Sequence, residues 1–258
     1  MSNTVAELAP QLLWKNFAAL NAVPRPSKKE ERVIAFMRQF GEQLGLPVRV
    51  DAVGNVFINK PATPGLEDRE TVVLQSHLDM VHQKNADTVF DFDTEGIQMY
   101  VEGDWVKAQG TTLGADNGIG VAAIMGLLES TDIPHPPLEA LFTIDEETGM
   151  TGAMGLEGGW LTGGILLNLD TEEDDELTVG CAGGIDVTAQ GTYAPNALET
   201  TGYKGYRISL KGLTGGHSGM DIHLGRANAN QQLARVLHHT LAAHQAQMVQ
   251  LEGGSLRN

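Results

Sequence analysis

Cysteine is almost absent from this chain: Cys181 stands alone among 258 residues. One thiol excludes an internal disulfide and fits a reducing compartment. Set in VGCAGG, it reads as a small buried residue rather than a nucleophile. Positive charge is scarce too. Seventeen Lys and Arg face thirty-three Asp and Glu, a formal net charge of -16. That excess argues against nucleic acid or an anionic membrane as a partner, and agrees with a soluble protein whose site collects carboxylates. Long apolar runs are missing as well. The longest, Gly118 to Leu128, is too short to span a bilayer. The opening MSNTVAELAP has neither a basic n-region nor an apolar h-region, so no signal peptide is expected and the chain reads as cytoplasmic.

What is present is a globular composition, 41% apolar and 19% charged, in a chain long enough for one large domain or two smaller ones. Helical spacing of Leu8, Leu12, Leu13, Phe17 and Leu20 predicts one amphipathic helix over 5–23, broken by Pro24-Arg25-Pro26. Ser27 and Glu30 match a capping box for a second helix that buries Val33, Ile34, Met37 and Phe40 and ends at Gly45. Two short strands flank a Gly54-Asn55 turn. Residues 85–103 read as an acidic surface loop, 105–108 as a strand, and TTLGADNGIG as a glycine-rich turn into an apolar helix.

Three apolar runs read as strands buried on both faces: TVVLQSHLDMV (71–81), LEALFTI (138–144) and GILLNL (164–169). Strands alternating with helices predict an α/β domain with a mainly parallel sheet, whose sites lie beyond the carboxyl ends of the strands. The three runs end in His77 and Asp79, in Glu146 and Glu147, and in Asp170. Past Gly184 the character changes. Residues 185–189 and 203–210 alternate like strands with one wet face, GLTGGHSG is a glycine-dense loop, and 227–248 reads as a helix. The expected domains are therefore 1–184 and 185–258.

His77 and Asp79, two apart on a strand, share one side, where the acid can fix the imidazole tautomer. A two-metal hydrolase needs nitrogen and oxygen ligands, a bridging carboxylate and a free base. His77, Asp116, Glu146, Glu147 and Asp170 are the candidates. Each has a plainer reading. Asp116 can cap the helix that follows it, Glu146-Glu147 can be a solvated strand end, and Asp170 can open a solvated acidic loop. His217, among Gly215, Gly216 and Gly219, either faces a substrate or sits in an ordinary turn.

QSHLDMV, GTTLGADNGIG, DEETGM, NLDTEE, GCAGGID, KGLTGGHSG and GGSLRN follow in the order found in the aminoacylhistidine (Xaa-His) dipeptidases of the zinc exopeptidase superfamily, and from Leu13 to Asn258 the chain resembles that family. The resemblance implies a zinc-exopeptidase catalytic domain carrying the first part of a ferredoxin-like lid, and hydrolysis of unblocked dipeptides. It implies two zinc ions per intact subunit, with Mn2+ or Co2+ as substitutes. His77, Asp116 and Asp170 would bind one ion, with Asp116 bridging to a second ion held by Glu147. Asp79 would orient His77, and Glu146 would be the general base. His217 would polarise the scissile carbonyl, in relatives across a dimer interface, and Asn258 would bind substrate. Family members are longer and take a further His ligand from a returning segment, so the chain is expected to be an N-terminal fragment of a homodimeric enzyme. A related amidohydrolase or N-acyl amino acid deacylase, and a non-catalytic metal-binding remnant, are the alternatives.

Overall fold

A computed structural model describes residues 3–171, 175–181, 183, 185, 187–194, 197, 201–217 and 219–253. The chain divides into two units, Met1–Cys181 and Ala182–Asn258.

The first unit begins with α1 (Asn3–Ala6) and α2 (Gln11–Asn21) where one helix was expected. Pro10 separates them. It lacks an N–H for a continuing helix but suits the position just before a first turn, and it occupies the cap of α2. Next comes α3 (Glu31–Gln43), closed by Gly45 at φ +69°. The capping box is not formed: the cap residue is Glu30 itself, and no side chain caps the helix. Strands β1 (Val48–Val50) and β2 (Val56–Lys60) pair antiparallel as the Gly54-Asn55 signal predicts. Their turn is closed by Asp51 Oδ1, which accepts the N–H groups of Val53, Gly54 and Asn55.

The sheet is completed by β3 (Val72–His77), β6 (Leu138–Thr143) and β7 (Ile165–Asn168) in the order β1-β2-β6-β3-β7. Pairing is parallel from β6 through β3 to β7 and antiparallel on both sides of β2, so β2 alone runs against the other four strands. Side chains alternate across it. Val56, Ile58, Leu74, Ala140 and Phe142 join one core with Leu20, Val33 and Met37. Phe57, Val73 and Leu141 face the other way, under Leu156, Trp160 and Leu161. Helix α4 (Ala115–Glu129) packs against α2 and β3 and buries Val121, Ile124, Met125 and Leu128, each worth about 1.5–3 kcal/mol of transfer free energy. Lys60 Nζ closes its far end by donating to Leu127 O and Ser130 O.

Two further readings are corrected here. The expected surface loop 85–103 ends in a strand, β4 (Met99–Glu102), paired with β5 (Trp105–Ala108), because Phe90, Ile97 and Met99 anchor it beside Phe17 and Met80. Strand β7 is half exposed rather than buried, with Leu166 at 55%, because among the described residues it lies at the sheet edge with β3 as its one neighbour. The first unit also holds α5 (Thr151–Met154).

In the second unit α6 (Ala229–His244) is capped by Asn228 Oδ1, which accepts the N–H of Gln231 at 3.0 Å. The alternating segments 185–189 and 203–210 form no strand among the described residues: the pattern is present, but no strand pairs with it. Cys181 is exposed, against expectation. No helix among the described residues is long and apolar enough to cross a membrane.

Candidate metal centre

Parallel register brings the site together. Gln75 pairs with Leu141 on one side and Asn168 on the other. Two residues further along, the same register sets His77 level with Asp170. The turn after β6 then folds back toward β3. Asp145 adopts φ +51°, rare for a non-glycine residue. It is held by its N–H to Glu30 Oε1 at 3.2 Å, by Lys28 Nζ at 2.8 Å, and by the hydroxyls of Thr148 and Thr151. This turn delivers Glu146 and Glu147. Asp116 comes from the start of α4, where its backbone is non-helical and the peptide to Asn117 is cis. The residue at the N-cap of that helix is Gly114, not Asp116, and it makes no side-chain cap bond.

His77 is 1% exposed at the centre. Its Nδ1 lies 3.2 Å from Asp79 Oδ1 and 3.1 Å from the Asp79 carbonyl, so Nδ1–H donates there and Nε2 is turned the other way. Nε2 lies 3.1 Å from Asp116 Oδ1, 3.6 Å from Asp170 Oδ1 and 3.9 Å from Glu146 Oε2. One donor atom each from His77, Asp116 and Glu147 falls within 4.8 Å of the others, and the same is true of His77, Glu146 and Asp170. Asn117 Nδ2 donates to Asp170 Oδ1 and to Leu169 O, holding the acid on the site side of β7.

Charge in the cluster is unbalanced. Burial acts to lower the pKa of His77, but hydrogen bonds to Asp116 and Asp79 and the charge of Asp170 override it and push the pKa up to about 10. Burial, with the charge of Asp116, pushes Glu147 up to about 7 despite the opposing pull of His77. Burial also pushes Asp170 up to about 6, aided by the charges of Asp116 and Glu146 and opposed by His77. Glu146 is raised chiefly by burial.

These residues fit a divalent cation. Donors on one tetrahedral ion with bonds of about 2.1 Å stand about 3.4 Å apart, close to the separations around Nε2. One imidazole with several carboxylates suits Zn2+, Mn2+ or Co2+ better than a thiolate-seeking metal. A third acidic group, Glu30, Asp79 and Asp145, is also close-packed, but it already accepts bonds from Ser27, Lys28 and the backbone and acts as a brace.

The sequence did not reveal that brace. Ser27 Oγ donates to Asp79 Oδ2 at 2.8 Å, and Glu30 Oε1 accepts from the Lys28 and Asp145 amides, so both supposed capping residues serve the site. Arg25, which reads in the sequence only as part of a helix break, is fully buried beside Asp79 and Gly114. Its one sequence signal is a charged residue held between two prolines. His217 lies in the second unit, its Nδ1 accepting the N–H groups of Gly219 and Met220 at 3.1 Å each. Asn258 lies outside the described residues.

No family model matches the chain. It is 47% identical over 254 residues to the cytosol non-specific dipeptidase of Escherichia coli K12, a match covering 98% of this chain and 52% of that protein. The aminoacylhistidine dipeptidase of Vibrio alginolyticus superposes with a TM-score of 0.69 at 46% identity, covering 100% of this chain and 53% of that one. A tripeptidase from Staphylococcus aureus, at 24% identity and TM-score 0.54 over 64% of this chain and 44% of its own, shares the fold. The chain spans about half the length of the dipeptidases it matches.

Proposed function

From the premise that the chain is a relative of the aminoacylhistidine and cytosol non-specific dipeptidases, we propose that it supplies the metal centre of a hydrolase acting on short, unblocked peptides. The observation that carries this reading is the convergence of Asp116, Asp170 and Glu146 oxygens within 3.9 Å of His77 Nε2, at the carboxyl ends of parallel strands. His77, Asp116 and Asp170 would hold one divalent ion, and Asp116 with Glu147 would hold a second. Zinc suits the donor set. Bound there, such ions supply a Lewis acid and lower the pKa of a water to about 7.

The remaining roles belong to the protein. Asp79 keeps the His77 proton on Nδ1. Glu146 is half-buried and its carboxyl is raised, which suits a group that takes a proton from water and returns it to the leaving amine. His217, whose Nδ1 is occupied by backbone N–H groups, carries its proton on Nε2 and can donate to a carbonyl oxygen. In this reading residues 185–258 form part of a lid and dimer surface, and Asn258 contacts substrate. The working protein is a cytoplasmic homodimer.

The test is turnover of free dipeptides, Xaa-His among them, against N-acyl amino acids, with chelation and metal restoration. Glu146→Gln should lower kcat by about 100- to 10,000-fold while metal uptake persists. Full turnover by that variant would overturn the mechanism, and preference for N-acyl amino acids would indicate a deacylase. A metal-binding chain without turnover is the other outcome the same test can give: metal uptake with no turnover on any substrate.

A further inference from the structure

Arg25 is among the largest fully buried side chains of the described residues. Its Nη1 donates to the carbonyls of Leu78 and Asp79, each at 3.0 Å. Its Nη2 donates to Gly114 O at 2.5 Å and to Asn21 Oδ1 at 2.9 Å. One planar group thus joins the turn that follows His77 to the turn that precedes Asp116. Further from the site the same segments are joined by a bridge between Lys84 and Thr111, with Thr112 N–H donating to Gln83 O at 2.9 Å; nearer to it Arg25 makes the link, and His77 Nε2 meets Asp116 Oδ1 there.

The glycines of GADNG make room for this group. A Cβ on Gly114 or on Gly118 would come within 2.6 Å of Arg25 Nη2 in either case. The two glycines bracket Asp116, so the guanidinium is seated against the backbone on both sides of that acid. Burial lowers the arginine to about 10, while the charges of Asp79, Asp116 and Glu147 act in the opposite direction. The group therefore remains a cation at neutral pH, facing the carboxylates it positions.

Resting on the metal reading above, we infer that Arg25 is a positioning residue for the centre: its guanidinium clamps Leu78 and Asp79 to Gly114 and thereby fixes the separation of His77 and Asp116. A lysine keeps the charge but brings one nitrogen where two diverging pairs of acceptors wait.

The experiment is titration of the chain with Co(II), followed by visible absorption, alongside thermal unfolding in chelator. Arg25→Lys and Gly118→Ala are compared with wild type and with Glu139→Gln, a change near the start of β6, at the end of the strand away from the site, where the carboxylate accepts from Thr162 and Gly163. Arg25→Lys and Gly118→Ala should bind Co(II) at least about ten-fold more weakly and with altered band intensities, and Glu139→Gln should bind as wild type does even where its unfolding temperature falls as far. Gly118→Ala retains the arginine and carries the test if the lysine variant does not fold. Wild-type affinity and spectrum in the folded variants would overturn this inference alone, as would an equal loss in Glu139→Gln. A wild-type chain that took up no Co(II) would overturn the metal reading and this inference with it.

Discussion

The carboxylate of Asp79 accepts the backbone N–H of Glu146 at 3.0 Å, on the same oxygen that lies 3.2 Å from His77 Nδ1. Its other oxygen takes the N–H of Glu147 at 3.2 Å and the Ser27 hydroxyl at 2.8 Å. One side chain therefore sets the tautomer of the histidine and the position of the two glutamates. Asp79→Ala should reduce metal affinity and turnover by at least the 10- to 100-fold usual for a residue supporting one ligand. The second effect separates the two jobs. If Asp79 also holds the turn, amide exchange at Glu146 and Glu147 should quicken in the metal-free variant. Unchanged exchange would limit Asp79 to orienting His77.

Removal of metal should destabilise the first unit. The carboxylates around His77 repel one another, and burial has already raised Glu147, Asp170 and Glu146. An ion that binds the folded chain alone adds about 2.7 kcal/mol when its free concentration is a hundred times its Kd. Unfolding should shift upward with Zn2+ or Co2+ and return on chelation. A midpoint insensitive to either metal would count against the site.

Gly120 lies where no side chain fits. A Cβ there would fall 2.5 Å from Asn117 Oδ1, Ser76 Oγ and the carbonyl of Leu169. The carbonyl belongs to the backbone leading into Asp170 and cannot rotate away. Gly120→Ala should cost about 1–3 kcal/mol and, by displacing Asn117 from Asp170, weaken metal binding as well. Denaturant midpoints with and without metal separate the two losses.

Glu139 gives a pH dependence away from the centre. Burial acts to raise its carboxyl, but the hydroxyl and N–H of Thr162 and the N–H of Gly163 hold it below its ordinary 4.5. A carboxyl lowered on folding adds stability that is present above its unfolded pKa and is lost as pH falls through the folded one. Glu139→Gln should therefore be less stable than wild type near neutral pH, and the gap should narrow in acid below the unfolded value. Urea midpoints at the two extremes measure it. A gap that stayed constant would mean the bonds, not the charge, matter.

The termini of β3, β6 and β7 were legible in the sequence because each is an apolar run ending abruptly in an acid or histidine, and parallel pairing turns three such endings into one place. The two-residue offset of His77 and Asp79 was legible for the same reason. Other features depend on partners distant in the chain. Ser27 and Glu30 have the right spacing for a helix cap, yet the helix starts one residue after Glu30, and their polar atoms are drawn to Asp79 and Asp145. Arg25 is hidden because its four acceptors, three backbone carbonyls and one amide, carry no sequence signature. Strand β7 misled in the other direction: Ile, Leu and Leu announce burial, but burial also needs a covering layer, and among the described residues β3 is its one neighbour.

That lopsided strand bears on how the chain should behave in concentrated solution. Ile165, Leu166 and Leu167 each leave about half their surface to water, on a short strand whose outer margin pairs with no other strand among the described residues. Such a margin accepts any extended peptide of suitable register. A second extended chain is therefore expected to add along this strand, and light scattering that stayed flat with rising concentration would count against it.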